Sequence, residues 1–351
     1  MERRSASAGE RASADWCAAR LREAGAEDVR VEPFRYQQSF GPAQALHFAA
    51  ATLGRLPAAA ALASFELDYS GRAQPLRRLL PAGEGANVVA RLPAREERRS
   101  TLVLVAHHDA ANTGLMWNPR LALRGGRKGQ PPFSLLPEVA MALMAAGPHR
   151  LVAPARAVLA GVAALCLEVA RGATVPGASD NATGVAAVIA LVERLSADPL
   201  HRTEVVVVLP GAEESGMGGM AAWLGVALAE LDPESTLVLG LDTLGAGEPI
   251  VLSAEGPLWR VRYRGEDLAL ADAAARRVGI VPPRRFRLGG WTDPVLAALA
   301  GLNTISMLSI GEGDALTNYH LPTDTPDRVD WTCVESCTVL AEAVARNWAE
   351  R

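Results

Sequence analysis

The sequence predicts an α/β protein: a doubly wound, mostly parallel mixed sheet with helices on both faces, interrupted by helical insertions. Three observations carry that expectation. Short runs rich in Val, Leu and Ile recur without the polar alternation of a half-exposed strand, as strands buried on both faces do. Stretches with helical periodicity separate several of them. Residues able to do chemistry collect just after the apolar runs, where an open parallel sheet places its ligands.

Taken in order, residues 10–25 read as an amphipathic helix ended by Gly25, followed by a strand at "DVRVEPF". Candidate buried strands are "NVVARL" (87–92), "TLVLVAH" (101–107), "EVVVVLP" (204–210), "STLVLGLD" (235–242) and "NTISMLSI" (303–310). Helical stretches fall at 182–197, 218–231 and 265–279, and a last helix begins at Trp331.

Two stretches break the rhythm and read as insertions. One is apolar and covers 45–67; the other, basic and then apolar, covers 115–174. Arg72, Arg77 and Arg78 follow the first, and Arg120, Arg124, Arg127 and Lys128 open the second. A membrane-spanning helix needs about 20 mostly apolar residues. Residues 133–147 are too few, and 151–170 contain Pro154, Arg156 and Glu168. The expectation is a helical hairpin packed on the domain or on a second copy in a homodimer, with peripheral membrane contact as the alternative. Lying across the cleft, the second insertion would restrict it to small ligands.

The chain has 351 residues, 49% hydrophobic and 21% charged, enough for one large domain over 1–351 with insertions. A net charge of −4 with mixed signs argues against a nucleic-acid partner. The opening "MERRSASAGERASADW" lacks the apolar stretch of a secretory signal, and Cys17, Cys166, Cys333 and Cys337 form no CxxC pair. Reduced thiols in a cytoplasmic protein are expected.

The apolar runs end in a consistent chemistry. His107, His108 and Asp109 follow the second; Glu213 and Glu214 follow "EVVVVLPGA"; Asp242 follows "STLVLGL"; a glycine-rich loop after the last leads to His320. Asp180 stands at the entry to a helix, where the dipole favours a carboxylate. Acids so placed repel or protonate unless a cation sits among them. Imidazole with carboxylate suits zinc, and five ligands exceed one tetrahedral catalytic site. Two zincs sharing a bridging carboxylate fit the count.

"VAHHDA", "GASDNATG", "GAEESGMGG", "LGLDTLG" and "NYHLPTDTPDRVD", in that order, resemble the co-catalytic di-zinc aminopeptidase family. It includes bacterial leucyl aminopeptidases, with glutamate carboxypeptidase II, glutaminyl cyclase and transferrin receptor among its relatives. The resemblance covers 87–114 and 175–345 and implies the zinc-exopeptidase fold. It implies that His107 and Asp242 hold one zinc, Glu214 and His320 the other, and Asp180 both. It makes Glu213 the general base, Asp109 the acid that orients the site, and the substrate a peptide with a free N-terminus. The implied reaction is amide hydrolysis by a water that the two metals acidify and Glu213 deprotonates.

His108 reads as a wall residue, Asp324 as the anchor of the His320 loop, and His47, His149 and His201 as incidental. Tyr319 is a candidate substrate contact. The family's tyrosine for the oxyanion is not found elsewhere, and Asp293 is followed by Pro294 where the family has Asp-His. The rival readings are carboxypeptidase, dipeptidase or cyclase chemistry on the same scaffold and, more remotely, a metal-free receptor. No ligand residue is missing, which argues against the last.

Overall fold

The computed structural model describes residues 1–118 and 135–351. Arg120, Arg124, Arg127 and Lys128 therefore lie outside the described residues.

The chain opens with helix α1 (Ala8–Glu23), capped by Ser7, and strand β1 (Glu27–Tyr36). Strands β2 (Gly83–Leu92), β3 (Ser100–Val105), β4 (Thr203–Leu209), β5 (Thr236–Leu241) and β9 (Asn303–Ile310) match the apolar runs to within a few residues. Three further strands are β6 (Glu248–Glu255), β7 (Val261–Arg262) and β8 (Arg284–Arg287). They escape the sequence reading because they are short or begin with polar residues.

The order across the sheet is β1-β2-β4-β3-β5-β9-β6-β7, with β8 beside β6. The four central strands β4, β3, β5 and β9 run parallel, while β2 against β4 and β6 against β9 are antiparallel. "Mostly parallel" thus holds for the centre, with antiparallel strands at both flanks. After β3 the chain adds β4 on one side and then β5 on the other. That reversal parts the loops and opens a crevice at the carboxyl ends.

Burial on both faces explains the unbroken apolar runs. Val205, Val207 and Leu209 face one core with helices α1, α6 (Thr183–Ala197), α8 (Gly265–Arg277) and α10 (Trp331–Ala349). Val206 and Val208 face the other with α7 (Gly218–Ala227) and α9 (Pro294–Leu299). Successive side chains of one strand feed opposite cores, so a polar residue on either face would be buried.

The two insertions form one unit. The first is a helix pair, α2 (Gly41–Ala51) and α3 (Arg55–Tyr69); the second supplies α4 (Leu136–Ala146) and α5 (His149–Val169). α2 packs on α3 and α5, and α4 packs on α3 and α5, giving a four-helix bundle. Phe48, Phe65, Met141, Met144, Leu159 and Cys166 fill its centre. Each buried Phe or Leu contributes about 1.5–3 kcal/mol relative to exposure. α5 is 21 residues long, with Pro154 inside, and is long and apolar enough to cross a membrane by length and composition. This departs from the sequence expectation, because the helix starts at His149 and averages out its few polar residues.

Candidate metal centre and active site

The loops after the central strands bring the predicted acids and imidazoles together. His107 Nε2 lies 3.2 Å from Asp180 Oδ1 and 3.8 Å from Asp242 Oδ1. His320 Nε2 lies 3.3 Å from Asp180 Oδ2 and 3.0 Å from Glu214 Oε2. Asp180 therefore offers one oxygen to each histidine. Three ligand groups result among the described residues: His107–Asp180–Asp242 and Asp180–Glu214–His320, which share Asp180, and His107–Glu213–Glu214 between them.

These spacings test whether zinc fits. Two ligand atoms on a tetrahedral zinc with bonds of about 2.0–2.1 Å stand roughly 3.3 Å apart. Most of the separations are close to that edge. Both ring nitrogens of His320 and Glu214 Oε1 are buried without a hydrogen-bond partner among the described residues, which suits atoms reserved for another bond. The donor set fits a pair of zincs.

Electrostatics argues the same way. Burial alone would depress His320, yet Glu214 and Asp180 carry its pKa up to about 10. Burial likewise opposes the charge on His107, but Glu213 and then Asp109, Asp180 and Asp242 raise it well above its ordinary value. Burial, then Asp180, pushes Glu214 up to about 7. Asp293, buried with neither carboxylate oxygen paired among the described residues, also rises well above the usual range, first by burial. Burial thus favours the protonated form of Glu213, Glu214 and Asp293. Asp180, despite its burial, is held below the usual carboxylate range by His107 and His320. Metal binding would exchange protons for cations.

Asp109 fastens the catalytic pair. Its Oδ1 accepts from the Glu213 amide at 3.1 Å and its Oδ2 from the Glu214 amide at 3.2 Å. Oδ1 also lies 3.3 Å from His107 Nδ1, so one carboxylate orients a ligand imidazole and the loop carrying the base. Glu213 points back toward the metals, 3.9 Å from His107 Nε2. Asp324 goes beyond its expected role: it accepts from the amides of Ser179 and Asp180 at 2.8 and 3.1 Å, and so holds the bridging acid. Asp180 has non-helical backbone angles in a turn before α6, so this anchor, rather than the helix dipole expected from sequence, positions it. His108, expected as a wall residue, is in none of the ligand groups; it is buried with its Nε2 2.8 Å from the Ala86 carbonyl of β2 rather than lining the cavity.

The sequence reading overlooked the N-terminal segment. Arg3 donates to the carbonyls of His108, Pro176 and Gly177, joining the His107 and Asp180 loops. Ser5 donates to Asp109 Oδ2 at 2.7 Å. Glu10, buried in α1, accepts from the amides of Ala6, Ala86 and Ala212, the last beside Glu213. The available signal was glycine: a Cβ at Gly85 or Gly211 would lie 2.9 or 2.5 Å from Glu10 Oε1.

The chain matches the family model described as "Peptidase family M28" over residues 87–345. It belongs to peptidase family M28. That match spans both strand-end ligand groups, so the M28 chain is a peptidase and an α/β hydrolytic scaffold by family. Solved structures agree on the fold. A zinc aminopeptidase from Bacillus subtilis is similar at 15% identity and a TM-score of 0.59, over 98% of this chain and 90% of that one. A leucine aminopeptidase precursor from Bacteroides thetaiotaomicron is similar at 14% and 0.57, over 99% and 91%. A Zn-dependent exopeptidase from Parabacteroides distasonis gives 12% and 0.59, over 100% and 93%. No curated protein sequence matches the chain.

A cavity of about 160 Å³ opens from this M28 centre into the helical bundle. Glu213, Glu214 and His320 line one end; Phe48, Phe65, Val162 and Glu138 belong to the bundle. Tyr319 borders the cavity, its ring stacked on His320 at 3.7 Å and edge-on to Trp117 at 5.7 Å. Its hydroxyl makes no hydrogen bond among the described residues, leaving it available to a substrate oxygen. Met116 and Trp117, among the first residues of the second insertion, also face the cavity.

Proposed function

We propose that this M28 peptidase is a di-zinc aminopeptidase that releases N-terminal residues from short peptides. Asp180 carries the reading: its two oxygens face two separate histidine-centred ligand groups, as a bridging carboxylate must. His107 and Asp242 would hold one zinc, Glu214 and His320 the other, and Asp180 both. When bound, the two ions acidify a water and polarise the scissile carbonyl. Glu213 takes the proton of the attacking water and returns it to the leaving amine; its loop, pinned by Asp109, keeps the carboxylate aimed at that position. Tyr319 is placed to donate to the carbonyl oxygen as charge develops there. The neighbours named as aminopeptidases support the substrate class, and the bundle at one end of the cavity favours a chain end over a chain middle.

Elemental analysis of the wild type and Glu213→Gln, with hydrolysis of aminoacyl-nitroanilides, tests this reading. Near two zincs in both, with turnover only in the wild type, is the expected result. A protein that takes up no metal when zinc is supplied rejects it.

We also propose peripheral membrane contact through the bundle. Leu53 and Leu56 are 77% and 84% exposed at one tip. Arg55 and Arg156 bridge the helix ends there, donating to the carbonyls of Gly147 and Thr52. Exposed leucines ringed by arginines suit an anionic lipid surface. Flotation with anionic liposomes at low salt should carry the protein upward; a protein left at the bottom argues instead for a role in dimerisation or none.

A further inference from the structure

Of the chain's 6 Phe, 4 Tyr and 7 Trp residues, seven line the cavity between the metal centre and the bundle. They form two ladders. One runs Phe48–Phe65–Tyr69–Trp291, with centroids 5.1, 5.3 and 6.3 Å apart. The other runs Phe40–Trp117, 6.4 Å apart, and on to Tyr319 and His320 beside the metals. Between walls so apolar, a carboxylate is out of place, yet Glu138 of α4 lines the cavity. It is 1% exposed, and its Oε2 has no hydrogen-bond partner among the described residues.

Glu66 of α3, also buried with an unpaired oxygen, lies close enough to add its charge to the burial that pushes the Glu138 carboxyl up to about 8. A buried carboxylate ordinarily keeps a cation or several donors. Here no such partner lies among the described residues, and the carboxylate borders the cavity. A long side chain with methylenes along its stem and a cation at its tip answers both features. Aromatic faces take the stem and attract the cation, and Glu138 pairs with the charge.

We propose that this cavity is the pocket for the substrate's N-terminal side chain, and that Glu138 selects a basic one, lysine or arginine. The inference rests on the aminopeptidase reading above, so its test needs a readout independent of turnover.

The probes are lysinamide and norleucinamide, which share a four-carbon stem and differ by the terminal ammonium. Their Kd values are measured by calorimetry on the zinc-supplied wild type, Glu138→Gln and Glu138→Asp, alongside kcat/KM for lysyl- and leucyl-nitroanilides. Gln mimics the protonated acid in size, so Glu138→Gln should fold, and a cooperative melting transition no lower than that of wild type checks this. Wild type should bind lysinamide at least 10-fold tighter than norleucinamide. Glu138→Gln should erase that ratio without altering norleucinamide binding, and Glu138→Asp should keep part of it. Equal affinity in the wild type overturns the proposal. So does a loss in Glu138→Gln that is the same for both amides, which would assign Glu138 to the α-ammonium. Absence of turnover on every nitroanilide, with the lysinamide preference intact, would strike the aminopeptidase reading alone.

Discussion

The carboxyl edge of the sheet and the four-helix bundle face each other across one cavity and are built on opposite principles. The edge is polar, and its side chains are held by backbone amides: Asp109 by Glu213 and Glu214, Asp324 by Ser179 and Asp180. The bundle is apolar and held by packing; among the described residues Glu138 Oε2 and Glu66 Oε1 have no partner, while Asp68 pairs with Arg77 at its edge. A catalytic centre needs fixed atoms, which hydrogen bonds to a rigid strand end supply. A side-chain pocket needs shape, which helices supply by packing and can vary without touching the chemistry. On the reading proposed above, turnover would belong to the edge and selectivity to the bundle.

The sharpest division should come from Glu213→Gln. Loss of the base should lower kcat by about 10²–10⁴-fold for every substrate alike, with bound zinc unchanged by elemental analysis. A drop confined to some substrates would blur the two regions.

Phe65→Ala attacks the other side. Truncating a ring buried among Phe48, Tyr69 and His47 should cost about 3–5 kcal/mol in denaturant unfolding. Zinc content should stay constant in the protein that remains folded. Loss of zinc together with the bundle would mean that the two regions form one cooperative unit.

Glu138 offers a pH test of the bundle. Folding moves its pKa from 4.5 to about 8, chiefly by burial and then by Glu66. Between those values the native state keeps a proton that the unfolded chain has released, so stability falls as pH rises. Glu138→Gln removes the titration. Its stability advantage over wild type should therefore grow from pH 4.5 to about 8 and level off above, reaching on the order of a few kcal/mol at most. Melting curves across that range check it, and a constant difference would show that the carboxyl finds a partner.

The smallest effect returns to the edge. Asp324→Asn keeps the shape but weakens the acceptor for two amides behind the bridging acid. Zinc affinity by competition with a chelator should fall about 10- to 100-fold, while the melting point of metal-free protein barely moves.

Much of the edge was legible in the residues. Val205–Val208 can only be a strand covered on both faces, and the acids beyond it have to meet a cation or protons. Asp109 was expected, from the family resemblance, to orient the site, and in the structure it accepts from the Glu213 and Glu214 amides. Other parts were not legible. Glu10 and Ser5 lie on a polar N-terminal stretch whose local pattern reads as exposed helix; only the glycines opposite hinted at an intruding side chain. Asp293 was noticed as a departure from the family, yet its burial among the acids had no local sign. β6 to β8 were invisible because antiparallel and edge strands need little apolar sequence.

The sequence by itself determined the α/β class, the central strands and the identity of the residues around the metals. Those depend on local periodicity and on the rule that strand ends collect at one edge. Only the tertiary structure decided that residues 41–69 and 136–169 join in one bundle, that its aromatic rings open onto the metal centre, and that Glu138 sits unpaired among them. Contacts between segments some 70 residues apart leave no period in either segment, and a carboxylate reveals its isolation only when its neighbours are in place.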